Sequence, residues 1–226
     1  MISFGTIILC VVGMLIQCMF IYSEYRRNMV TALLLKGTAS IVFVCVGIHG
    51  LMASGGNTFA MTIVHGLILG ALGDIILNVR YLFPKQDMRI FILGTASFFA
   101  GHILYLVALI PLSERLWTSI AVGTVIAAVI LICMNRKLEL ALSYKIVGII
   151  YVCTIVLMTT VAVINFITDR KIDRGIYAFG AVFFLASDVI LIFNTFGKEK
   201  KFGLSALTLA LYYIGQISIA LSLFYC

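Results

Sequence analysis

Long apolar runs, broken by short polar or charged stretches, repeat eight times along the chain. Each run is close to the roughly 20 residues that a helix needs to cross a bilayer core. The pattern predicts helical spans at 3–22, 31–51, 58–79, 89–110, 116–134, 143–166, 175–196 and 204–224. Ala53-Ser54-Gly55-Gly56-Asn57 is a tight polar turn between the second and third spans, and charged loops separate the last four. Both prolines, Pro84 and Pro111, fall between spans, so no span carries the ring clash and missing N–H of an internal proline. The expected fold is therefore an all-α membrane protein, a single bundle of about eight transmembrane helices forming one domain over residues 1–226. The first run has no positive charge before it and no small-residue cleavage site after it, which predicts a retained span rather than a signal peptide. There is no soluble domain and no clear internal repeat.

Composition agrees with the pattern. The chain is 63% hydrophobic and 11% charged, whereas soluble domains are about 45–50% apolar and about 25% charged. A net charge of +7 does not imply nucleic acid here, because the basic residues lie in the connections between spans, where they set orientation. One side carries Arg26, Arg27, Arg80, Lys85, Arg89, Arg136, Lys137, Lys145, Lys198, Lys200 and Lys201; the other carries Arg115, Arg170, Lys171 and Arg174. The asymmetry places the first side in the cytoplasm and both termini outside it. The lipid bilayer is the expected partner. The six cysteines contain no C-x-x-C, so neither a metal knuckle nor a redox motif is supported; Cys10, Cys18, Cys45, Cys133 and Cys153 are expected as small core residues.

Ionisable groups inside the apolar runs change the picture most. A charge near the bilayer centre costs on the order of 2.5–3.5 kcal/mol on insertion scales, so such residues mark function by default. Asp74 and Asp188 are the acids that the spans contain, and Lys36 lies inside the second span. Asp74 stands six residues before Arg80, roughly 9 Å from the cytoplasmic edge, and Asp188 ten before Lys198, roughly 15 Å in. His102 lies thirteen residues after Arg89, near mid-membrane, and shares a face with Tyr105 at i, i+3; Tyr212 and Gln216 share a face one turn apart. One shared site in the cytoplasmic half is the economical reading. Two carboxylates in a low-dielectric pocket can separate their proton affinities, one serving as acid while the other stays ionised. Asp74, His102 and Asp188 could instead supply three metal ligands, although no histidine pair at i, i+4 accompanies them; no cofactor is expected. Lys36 could neutralise a phosphate, pair with an aspartate, or snorkel to the surface. Gly66, Gly70 and Gly73 have the small-xxx-small spacing of close helix packing. Tyr151, Thr154 and Met158 form a bundle-facing stripe, while His49 and His65 lie toward the outer span ends and are expected to be structural or interfacial.

Taken together these segments resemble the YhhN-like family, whose characterised members are lysoplasmalogenases. The matching pieces are Lys36, Gly70-x-x-Gly73-Asp74, Gly101-His102-x-x-Tyr105, Tyr151 with Met158, Gly180-Ala181-x-x-Phe184-x-x-Ser187-Asp188, and Tyr212-Tyr213-x-x-Gln216. The resemblance implies hydrolysis of the vinyl-ether bond of a lysophospholipid substrate, releasing a fatty aldehyde and a glycerophospho-base. On this reading Asp74 and Asp188 divide the acid and base roles, with the assignment open. His102 joins them catalytically, and Lys36, Tyr105, Tyr151, Tyr212 and Gln216 bind substrate. Competing readings are a proton-coupled small transporter or lipid-binding membrane protein using the same polar layer, and a metal-dependent lipid amide or ester hydrolase. Against the transporter, no span is interrupted and no inverted repeat is visible.

Overall fold

A computed structural model describes residues 2–139 and 141–226. Among them are eight long helices and no strand: α1 Phe4–Tyr25, α2 Met29–Ala53, α3 Thr58–Val79, α4 Asp87–Leu109, α5 Leu116–Lys137, α6 Leu142–Thr168, α7 Ile172–Phe196 and α8 Phe202–Ser222. All eight are long and apolar enough to cross a membrane, and the chain is an integral multi-pass membrane protein. Each expected span has its helix, with ends displaced by up to three residues. The early helices start at side-chain caps: Ser3 accepts from the Thr6 N–H, Asn28 from Thr31 and Asn57 from Ala60, which satisfies donors that have no partner within the helix. The α2–α3 turn uses Gly55 and Gly56 at φ of 73° and 75°, a left-handed backbone that glycine adopts without steric cost. Pro84 and Pro111 each sit in a single 3₁₀ turn between helices.

Six helices close a ring in the order α2, α3, α4, α6, α7, α8 and back to α2. Outside it, α1 lies against α2 and α8, and α5 lies against α6. The two outer helices are also the least buried. Because the connections alternate, the ends bearing Arg26, Arg80, Arg136 and Lys200 gather at one face of the bundle, called here the basic face.

Glycines set the tightest approaches. A Cβ on Gly180 would lie 2.7 Å from the Gly215 carbonyl oxygen, and one on Gly215 would lie 2.9 Å from that of Gly180, so α7 and α8 touch backbone to backbone. In α3 the small residues make room for rings instead. A Cβ on Gly66 would meet Tyr105 at 2.3 Å, and one on Gly73 would meet Phe98 at 2.6 Å. The cysteines are corrected by the structure. Cys18, Cys133 and Cys153 are exposed on the outer surface, and Cys10 and Cys45 are half-buried. A small apolar thiol is as well accommodated against lipid as in a core, so its hydrophobicity does not say which way it faces.

Candidate functional site

Polar side chains point into the ring from six helices. On α2, Lys36 and Ser40 are one turn apart and share a buried face; on α8, Thr208, Tyr212 and Gln216 form a buried stripe at four-residue spacing. Lys36 is 2% exposed, Asp74 5% and Asp188 6%. Groups of this kind are kept out of hydrocarbon by facing the bundle interior, which is why these helices present these faces inward.

Asp74 is the centre of one network. Lys36 Nζ lies 3.2 Å from its Oδ1. Ser40 Oγ donates to Oδ2 at 2.6 Å and Tyr212 Oη donates to the same oxygen at 2.8 Å. Behind them, Gln216 Nε2 donates to Tyr212 Oη at 3.2 Å, and Tyr105 Oη donates to Gln216 Oε1 at 3.2 Å. The Lys36 ammonium also lies 4.2 Å from the Tyr212 ring centroid, a cation–π contact that partly replaces its lost hydration.

Asp188 is the centre of a second network. Tyr151 Oη donates to its Oδ2, and Ser187 Oγ donates to Oδ1 at 3.1 Å. His102 Nε2 lies 3.3 Å from Tyr151 Oη. With the Tyr151 proton committed to Asp188, His102 donates from Nε2, which leaves Nδ1 an acceptor; that atom is buried without a partner. The imidazole packs edge-on against Phe184.

A cavity of about 190 Å³ joins the two centres and opens toward the basic face. Lys36, Asp74, Tyr151, Ser187, Asp188 and Tyr212 form its inner end. Apolar side chains such as Phe20, Leu77, Phe98 and Leu191 form its walls, and Glu24, Arg80 and Lys200 stand at its mouth. The expected site residues therefore divide. Five of them, Asp74, Asp188, Lys36, Tyr151 and Tyr212, reach the cavity. His102, Tyr105 and Gln216 do not line it; His102 hydrogen-bonds Tyr151, Gln216 hydrogen-bonds Tyr212, and Tyr105 hydrogen-bonds Gln216. Lys36 pairs with Asp74 rather than reaching the surface. His49 and His65 are exposed, away from the site. Among the described residues no three His, Cys, Asp or Glu side chains converge as a metal-ligand group.

Three residues of the site have no role assigned from the sequence. Ser40 carried a signal, since it lies one turn after Lys36 on the same face. Ser187 had one too, as the neighbour of an intramembrane acid. The predicted first span stops at residue 22, short of Glu24, whereas α1 continues to Tyr25 and carries Glu24 onto the cavity wall.

A carboxylate flanked by an ammonium and two hydroxyls is held as an anion-binding arrangement demands, whereas one flanked by hydroxyls alone can exchange a proton with less rearrangement of charge. The cavity thus places two chemically different carboxyl groups on one apolar volume. The model of the YhhN family matches residues 30–223, a range that contains every site residue named here except Glu24. No curated protein and no solved structure matches the chain.

Proposed function

The chain belongs to the YhhN family, and from that membership and its cavity we propose that it is a membrane-embedded hydrolase cleaving the vinyl-ether bond of lysoplasmalogens. The observation that carries this reading is that Asp74 and Asp188 face the same apolar cavity from α3 and α7. Vinyl-ether hydrolysis begins when the outer alkenyl carbon takes a proton, which turns the carbon bound to oxygen into an oxocarbenium ion. Asp188 has two hydroxyl donors and no cation within ion-pair distance among the described residues, and serves as the acid. The same two donors stabilise the carboxylate that it becomes. Asp74, ionised against Lys36 and two hydroxyls, stabilises the cation and orients water. Water adds to the oxocarbenium carbon and returns a proton to Asp188. The hemiacetal then collapses to a fatty aldehyde and the glycerol hydroxyl of a glycerophospho-base, so one water is consumed for each bond broken.

Tyr151 and Tyr212 line the inner end beside the reacting bond, with His102, Gln216 and Tyr105 orienting them from behind. The location suits an amphiphile, whose head reaches water at the basic face while its chain stays apolar. With that face cytoplasmic, both termini lie outside the cytoplasm. The test is to incubate the purified protein in detergent with a lysoplasmalogen and with the matching acyl lysolipid, and to measure aldehyde and fatty acid. Aldehyde from the first alone is expected. Fatty acid from the second would overturn the vinyl-ether assignment.

A further inference from the structure

α1 lies outside the ring and ahead of the residues that the family match covers, yet one of its side chains reaches the centre of the site. Gly13, Gln17, Phe20 and Ser23 are buried on α1, at spacings of four and three residues that keep them on one face of a helix. Gly13 sets the approach of that face to α2 and α8 together: a Cβ there would lie 2.6 Å from Val42 Cγ1 and run into the Tyr213 hydroxyl. One turn on, Gln17 Nε2 donates to the Leu209 carbonyl oxygen of α8 at 3.0 Å. Phe20 is the next inward position, 2% exposed and on the cavity wall. Lys36 Nζ lies over its ring, 5.5 Å from the centroid, and over the Tyr212 ring at 4.2 Å. Asp74 is the ion-pair partner of that ammonium among the described residues. An ammonium carries three donors and no acceptor, so one carboxylate replaces only part of the hydration that burial removes. The negative face of an aromatic ring within about 6 Å supplies attraction of the required sign.

We propose that Phe20 is a positioning residue of the site: its ring face and that of Tyr212 clamp the Lys36 ammonium and hold it on Asp74. Tyr212 also donates to Asp74 Oδ2, so its ring and its hydroxyl act together. Phe20 has no polar atom and acts on the ammonium through its ring face alone. An aliphatic side chain of similar bulk would fill the same wall without offering that face, which is what separates this role from packing. With Lys36 held, Asp74 keeps its counter-ion in one place while positive charge develops in the cavity, so the electrostatics of the site are set before reaction. α1 is then part of the site rather than an added span. The effect on rate rests on the vinyl-ether reading above; the hold of Phe20 on the ammonium does not.

The experiment replaces Phe20 in the full-length protein by monofluoro-, difluoro- and trifluorophenylalanine, which weaken the negative ring face stepwise with little change of shape. Each is introduced into the wild-type protein and into the variant carrying Lys36→Met with Asp74→Asn, and unfolding is followed by denaturant titration in mixed micelles. The added hydrophobicity of fluorine acts in both backgrounds and cancels between them. Relative to the uncharged background, the unfolding equilibrium of the wild type is expected to shift toward the unfolded state by about three- to tenfold across the series. Aldehyde release by the wild-type series should fall in kcat in the same order. Parallel slopes in the two backgrounds would make Phe20 a packing residue and overturn the proposal. A slope confined to the wild type with an unchanged kcat would overturn the positioning role. A wild-type protein that releases no aldehyde overturns the vinyl-ether reading alone, since the two stability slopes still decide whether Phe20 holds the ammonium.

Discussion

Asp74 and Asp188 differ in company more than in position. Asp74 has an ammonium and two hydroxyls against it, and Asp188 has hydroxyls alone. Replacing either by Asn keeps the shape and most hydrogen bonds but removes the carboxyl chemistry. Asp188→Asn should therefore stay folded by size-exclusion profile, whereas Asp74→Asn also leaves the buried Lys36 ammonium unpaired and should lose stability; each should lose at least about a hundredfold in aldehyde release. Lys36 is the residue where stability and function diverge. Lys36→Met strands Asp74 as an uncompensated buried charge and should destabilise by about 3–5 kcal/mol. Lys36→Met with Asp74→Asn removes both charges and should recover much of that loss; denaturant titration of the single and double variants measures it. His102 reaches Asp188 only by way of Tyr151. Tyr151→Phe is therefore expected to lower aldehyde turnover more than His102→Gln, which keeps a donor for the tyrosine, and the two kcat values decide the order.

At the level of the helices, glycine decides how closely α3 can accept its neighbours. The α3 glycines hold space for the Tyr105 and Phe98 rings, and those rings pack around the site, Tyr105 through Gln216 and Phe98 edge-on to Tyr212. Gly66→Ala and Gly73→Ala should each destabilise by about 1–3 kcal/mol through overpacking. Gly203→Ala, at the start of α8 with nothing within 4 Å of the new Cβ, should be neutral or stabilise slightly. Thermal unfolding of the three variants in one detergent separates close packing from a general effect of removing glycine.

Across the whole molecule, the ring of six helices with α1 and α5 outside it creates the cavity and points its mouth to the face where most of the basic connections gather. If that face is cytoplasmic, the C-terminus lies on the far side. A C-terminal alkaline phosphatase fusion expressed in a bacterium should then be active and a C-terminal green fluorescent protein dark. The reverse result would turn the cavity mouth away from the cytoplasm.

Span number, approximate span ends and the polar layer were determined by the sequence alone, because burying an unpaired charge or a helix backbone in hydrocarbon costs far more than any local preference. That cost is legible in one dimension, so Asp74, Asp188 and Lys36 stood out from their apolar surroundings. What each helix turns toward its neighbours was decided only by the tertiary structure. In a membrane bundle both the lipid-facing and the inward-facing surfaces are apolar, so hydrophobic periodicity does not separate them. For that reason the cysteines were expected inside and lie at the surface or half-buried. For the same reason the division between cavity-lining Tyr151 and His102 behind it, and the arrival of Glu24 at the mouth, follow from helix rotation and packing order, which only the folded chain specifies.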